Sequence, residues 1–152
     1  MIDHVQRGRD EEARMTLVGR GVYDAVPWEL WALLEEDFLS VRFRSREGGG
    51  GSGGPLPQDA IEAHWFGRTG NGWRIIMGTV TKEASTVYAT RTDGERMNAD
   101  VIHVERFPFN LFLLLGSTSE AAARITAEDV DGNAVAYCGD LWDGLPDVGC
   151  MR

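Results

Sequence analysis

Between residues 75 and 138 the chain passes through short apolar segments punctuated by turn residues, and two of these punctuations are Asp-Gly pairs, Asp93-Gly94 and Asp131-Gly132. Glycine has no Cβ to clash at positive φ, and aspartate enters the left-handed region more readily than most residues. Asp-Gly between apolar runs therefore signals a β-hairpin with a tight primed turn. Two such hairpins in one stretch confine the chain to an antiparallel, all-β fold.

The flanking segments agree. Segments 86–90 and 96–104 border the first pair, with Met97, Ala99 and Val101 alternating against Arg96, Asn98 and Asp100; segments 122–128 and 133–138 border the second. Segments 60–66 and 73–80 form a further pair around residues 68–72. Residues 110–115 are apolar on both faces and belong in the centre of the core. Upstream, residues 15–23 suit a first strand. In 39–44, Leu39, Val41 and Phe43 face one way and Ser40, Arg42 and Arg44 the other, as in a half-buried strand. Segment 27–37 fits two templates: Pro27 followed by Leu33-Leu34-Glu35-Glu36 suits a short helix, whereas Leu30, Ala32 and Leu34 alternate as a strand. The strand is preferred because its neighbours alternate. Many short strands between turn signals predict an antiparallel two-layer β-sandwich, with a barrel as the other closure.

At 152 residues the chain suits one domain, burying about 70% of the surface of its unfolded form. The expected organisation is a flexible tail over 1–14 and a single β domain over 15–152. Residues 48–54, glycine apart from Ser52, have the composition of a flexible linker. An engineered insert, a domain boundary and a surface loop over 47–57 all fit. The loop is preferred because each flank alone is small for a full core. A phosphate cradle is disfavoured, since no Lys followed by Ser or Thr comes after the glycines.

Met77-Gly78-Thr79-Val80, Val87 leading into Thr92-Asp93-Gly94, residues 109–115, and Ala127-Glu128-Asp129-Val130-Asp131-Gly132 with Val135-Ala136 carry a resemblance. Together they resemble the C-terminal half of uncharacterised β-sandwich domains of GC-rich bacteria. The resemblance implies an immunoglobulin-like fold and brings no catalytic residue with it. Lys82 is the sole lysine among fifteen Lys and Arg residues, which matches the coding bias of such a genome.

A net charge of −9 repels phosphate backbones and argues against nucleic acid as the main partner. No apolar run approaches the ~20 residues of a membrane-spanning helix. The polar, mixed-charge start of the chain lacks the apolar centre of a signal peptide, so a cytoplasmic location is the default expectation.

Candidate chemistry is sparse, and no catalytic residue, cofactor or metal is assigned. His103 and Glu105 would share one face of a strand, as an acid-base pair requires, with His64 as a third member. Asp140, Asp143 and Asp147 surround Leu141 and Trp142. They lack the alternating spacing and distal Glu of a calcium loop. Trp142 and Leu141 either fold back over their own domain or insert into a partner protein, with the aspartates setting orientation. Trp65 and Trp73, on adjacent strands, could stack on a sugar ring. Cys138 and Cys150 could close a disulfide loop in an oxidising compartment or stay as free thiols in a reducing one. The leading expectation is a non-catalytic binding or protein-interaction module. A glycan or small-ligand binder is the first alternative, and an enzyme built on the His/Glu set is the second.

Overall fold

The computed structural model describes residues 13–68, 74–91, 94–116, 122–139 and 150–151. Its elements are antiparallel strands, which establishes the all-β class. The chain divides into two compact units, Met1–Leu56 and Pro57–Arg152, where the sequence suggested one domain.

The first unit is a four-stranded meander of β1 (Thr16–Tyr23), β2 (Val26–Leu34), β3 (Leu39–Ser45) and β4 (Gly48–Gly54), in that spatial order. Segment 27–37 is thus strand, not helix, up to Leu34. Its alternation decides the matter: Val26, Trp28, Leu30 and Ala32 are buried on one face, with Leu39, Val41 and Phe43 of β3. The Trp28 and Phe43 rings stack there at 6.2 Å. Tyr23 pairs with Val26, so β1 and β2 are joined by a two-residue turn in which Asp24 and Ala25 have φ of 50° and 64°. This is the geometry of a primed turn.

The glycine tract is the clearest departure from expectation. Residues 48–54 are strand β4, not a surface loop, and they pair with β3 without a shift from Ser45↔Gly48 to Leu39↔Gly54. Glycine has no intrinsic preference for a strand, so the partner must impose it. The turn before β4 fixes the register: Ser45 Oγ donates to the Gly48 carbonyl (2.8 Å) and accepts from the Glu47 N–H (3.2 Å). A Cβ added at Gly51 would lie 2.6 Å from the Val41 carbonyl oxygen, and one at Gly49 would run into that of Phe43. Gly54 has open space at the same test. Glycine is therefore required at specific positions by the close approach of β3, beyond its permissiveness in general.

The second unit has two sheets. One orders β5 (Ile61–Arg68), β6 (Arg74–Thr81), β10 (Phe109–Gly116) and β9 (Asp100–Ile102). The other orders β13 (Cys150–Met151), β12 (Ala134–Gly139), β11 (Ala122–Glu128), β7 (Thr86–Arg91) and β8 (Arg96–Asn98). A single apolar cluster draws on both, including Ile76, Phe112 and Leu114 from the first and Val87, Ile125 and Ala136 from the second. Segment 96–104, read as one strand, is two: β8 pairs with β7 and β9 with β10, the chain changing sheet at Ala99. The Ala99 N–H, donating to the Val87 carbonyl at 2.8 Å, holds that corner.

The Asp131-Gly132 turn also differs from the primed form, while Asp93 lies outside the described residues. Asp129 donates its N–H to the Asn133 carbonyl, the Gly132 N–H donates back to the Asp129 carbonyl, and Gly132 alone takes positive φ (84°). Asp129 Oδ1 accepts from the N–H groups of Asp131 and Asn133. Residues 130–132 thus form a three-residue loop closed by a left-handed glycine, the second common hairpin solution. At the other pair the Arg91 N–H donates to the Glu95 carbonyl, the Gly94 N–H donates to the Arg91 carbonyl, and Gly94 has φ of 91°.

Candidate functional site

His64 stands where β5 breaks step. Glu62 pairs with Thr79 and Ala63 with Gly78, then Trp65 pairs with Met77, leaving His64 as the extra residue of a β-bulge. A bulge re-aims the side chain it carries. Here His64 Nε2 shares a hydrogen bond with Thr79 Oγ1 at 2.9 Å, and Glu62 Oε1 is 3.9 Å from the same nitrogen. Glu62 Oε2 is held by the N–H groups of Gln58 and Asp59. Burial pushes the His64 imidazole below its usual pKa, with the Glu62 charge pulling the other way.

This set contains an acid, a base and a hydroxyl, yet its wiring is not that of a nucleophilic triad. In a triad the carboxylate holds one ring nitrogen while the other faces the hydroxyl. In this cluster both partners converge on Nε2, and Thr79 is 1% exposed, out of reach of a substrate. The arrangement secures the bulge.

His103 and Glu105 do not share a strand face. β9 ends at Ile102, and both residues lie exposed in the connection to β10. That connection is shaped by Lys82, whose ammonium donates to the carbonyls of Val104 (2.9 Å) and Phe107 (3.0 Å). Phe107 is buried and tilts against Phe109 at 5.5 Å. Asn110, fully buried, supports the other side by donating to the carbonyls of Ala84 (3.1 Å) and Lys82 (3.4 Å). Among the described residues, no three His, Cys, Asp or Glu side chains come together in a way that could hold a metal.

Of the aromatic pair, Trp65 is half-buried on β5 with its ring over Gly67, while Trp73 lies outside the described residues. Asp140, Leu141, Trp142, Asp143 and Asp147 also lie outside them. The backbones of Cys138 and Cys150 are described, and they face each other as register partners on β12 and β13.

The feature that sequence reasoning missed is the outer edge of β4. Among the described residues, this strand is flanked by β3 on one side and by no strand on the other. Gly49, Gly51 and Gly53 are exposed and the residues between them half-buried. Half of an edge strand's N–H and C=O groups point away from its neighbour, and proteins normally guard them with charges, proline or a bulge. From Gly48 to Gly54 there is none of these. Among the described residues, no turn or loop backbone hydrogen bond uses this strand either. β4 itself carries no side-chain pattern; the one indirect pointer is the turn at Arg46-Glu47, which follows the alternation of 39–45.

Comparison of the chain with protein-family models, with curated proteins and with solved structures returns no match. Among the described residues, no helix is long and apolar enough to cross a membrane.

Proposed function

We propose that the chain is a non-catalytic interaction module that accepts an extended segment of a partner protein as an added strand beside β4. The observation that carries this reading is the glycine edge of β4, which among the described residues has no strand beside it and carries no side chain larger than serine. Strand addition draws affinity from main-chain hydrogen bonds and specificity from pockets for alternate side chains. A glycine strand suits the first role, because nothing on it limits how closely an incoming backbone approaches.

The test uses the full chain against a display library of short random peptides, followed by amide hydrogen exchange with each enriched peptide. Slowed exchange confined to residues 48–54 is the expected result. Failure to enrich any peptide, or protection falling only on other strands, overturns the reading.

A further inference from the structure

β13 is only Cys150–Met151, and two register pairs, Tyr137↔Met151 and Cys138↔Cys150, attach it to β12. Two pairs are a slender ladder for an edge element. Isolated two-stranded pairings are marginal in water even when longer. The observed register is the one that sets the two cysteines directly opposite each other. Directly opposed antiparallel residues have Cα atoms about 4.5 or 5.5 Å apart, and disulfides span Cα separations of roughly 4.4–6.8 Å.

We propose that Cys138 and Cys150 form a reversible modification site, a cross-strand disulfide whose redox state decides whether β13 stays docked on β12. The oxidant is a low-molecular-weight disulfide such as glutathione disulfide. One cysteine thiolate attacks its S–S bond, forming a mixed disulfide and releasing one glutathione thiolate. The second cysteine thiolate attacks the protein-bound sulfur, forms the Cys138–Cys150 bond and expels the second glutathione. The protein loses two electrons and two thiol protons, and glutathione disulfide becomes two thiols. The bond closes the loop of residues 139–149 and removes its freedom from the undocked state. When it is reduced, β12 replaces β13 as the edge of the five-stranded sheet.

The experiment equilibrates the full chain with glutathione disulfide, alkylates free thiols, and cleaves with an Asp-specific protease. Asp140, Asp143 and Asp147 lie between the cysteines, so cleavage separates them unless a disulfide joins the fragments. The expected product is one linked pair of fragments within one chain, with neither cysteine alkylated and release of the pair on reduction. Two alkylated cysteines, persistent glutathione adducts, or disulfide-linked dimers overturn the proposal. Hydrogen exchange tests the docking itself. Amides of residues 150–151 should exchange faster after reduction by on the order of a hundredfold, the closure advantage of a loop this size. The double variant Cys138→Ser/Cys150→Ser should match the reduced protein. Equal exchange in the oxidised and reduced forms overturns the latch even where the bond forms.

Discussion

β10 and β4 are both strands, and they reach that state from opposite directions. β10 reads Phe-Asn-Leu-Phe-Leu-Leu-Leu-Gly, every residue buried, between β6 and β9. β4 reads Gly-Gly-Gly-Gly-Ser-Gly-Gly at the open edge of its sheet. The side chains of β10 drive its burial, since each large apolar group removed from water contributes about 1.5–3 kcal/mol. β4 buries no side chain larger than serine, so its strand form is set by the Ser45 turn and the β3 ladder. One strand is specified by what it carries, the other by what it lies beside.

The largest test of that contrast is Phe112→Ala. The ring is fully buried over Gly78, and its loss should cost about 3–5 kcal/mol in chemical denaturation. A cost under about 1 kcal/mol would mean that β10 is not held by its side chains. For β4 the contrast predicts that position matters more than composition. Gly51→Ala should destabilise by about 1–3 kcal/mol because the new Cβ meets the Val41 carbonyl, whereas Gly54→Ala, with open space, should fall within about 0.5 kcal/mol of the parent. Equal effects at the two sites would break the argument that β3 dictates where glycine must be.

The first unit's turn offers a smaller effect of opposite sign. Ala25 holds φ of 64° with a Cβ, so Ala25→Gly should raise the midpoint of thermal unfolding by relieving about 1 kcal/mol of left-handed strain. A lower midpoint would show that chain entropy outweighs the strain. The second unit supplies the pH test. The folded state lowers the His64 pKa by burial, so the unfolded chain takes up the proton first as pH falls. Stability from this group is full above the unfolded value of about 6.5, declines as pH drops through it, and levels off below the folded pKa. Glu62→Gln removes the opposing charge and should move the His64 titration, followed by NMR, to still lower pH. A shift upward would contradict the assignment.

Much of the strand pattern was legible because burial alternates as side chains do. β1, β2, β3, β6, β10 and the two glycine-closed hairpins follow from apolar spacing and turn residues. What was not legible lies where backbone and partner decide. Nothing in Asp24-Ala25 announces a primed turn, since alanine is a poor occupant of that region. The sheet change at Ala99 interrupts no alternation, so residues 96–104 read as continuous. His103 and Glu105 looked like strand partners because the pull of Lys82 on Val104 and Phe107 comes from more than twenty positions away. β4 was hidden for the plainest reason: hydrophobic periodicity cannot be seen in residues without side chains.

Lys82 brings a practical constraint of its own. It is the only lysine in the sequence, so side-chain amine chemistry such as ester labelling, aldehyde fixation or coupling to an activated surface has a single address. That address is already engaged with two carbonyls of the turn that carries Phe107. Acylation there would exchange an ammonium with three donors for an amide with one, and loosen the turn it was meant only to tag. Handles for this protein belong at the chain ends.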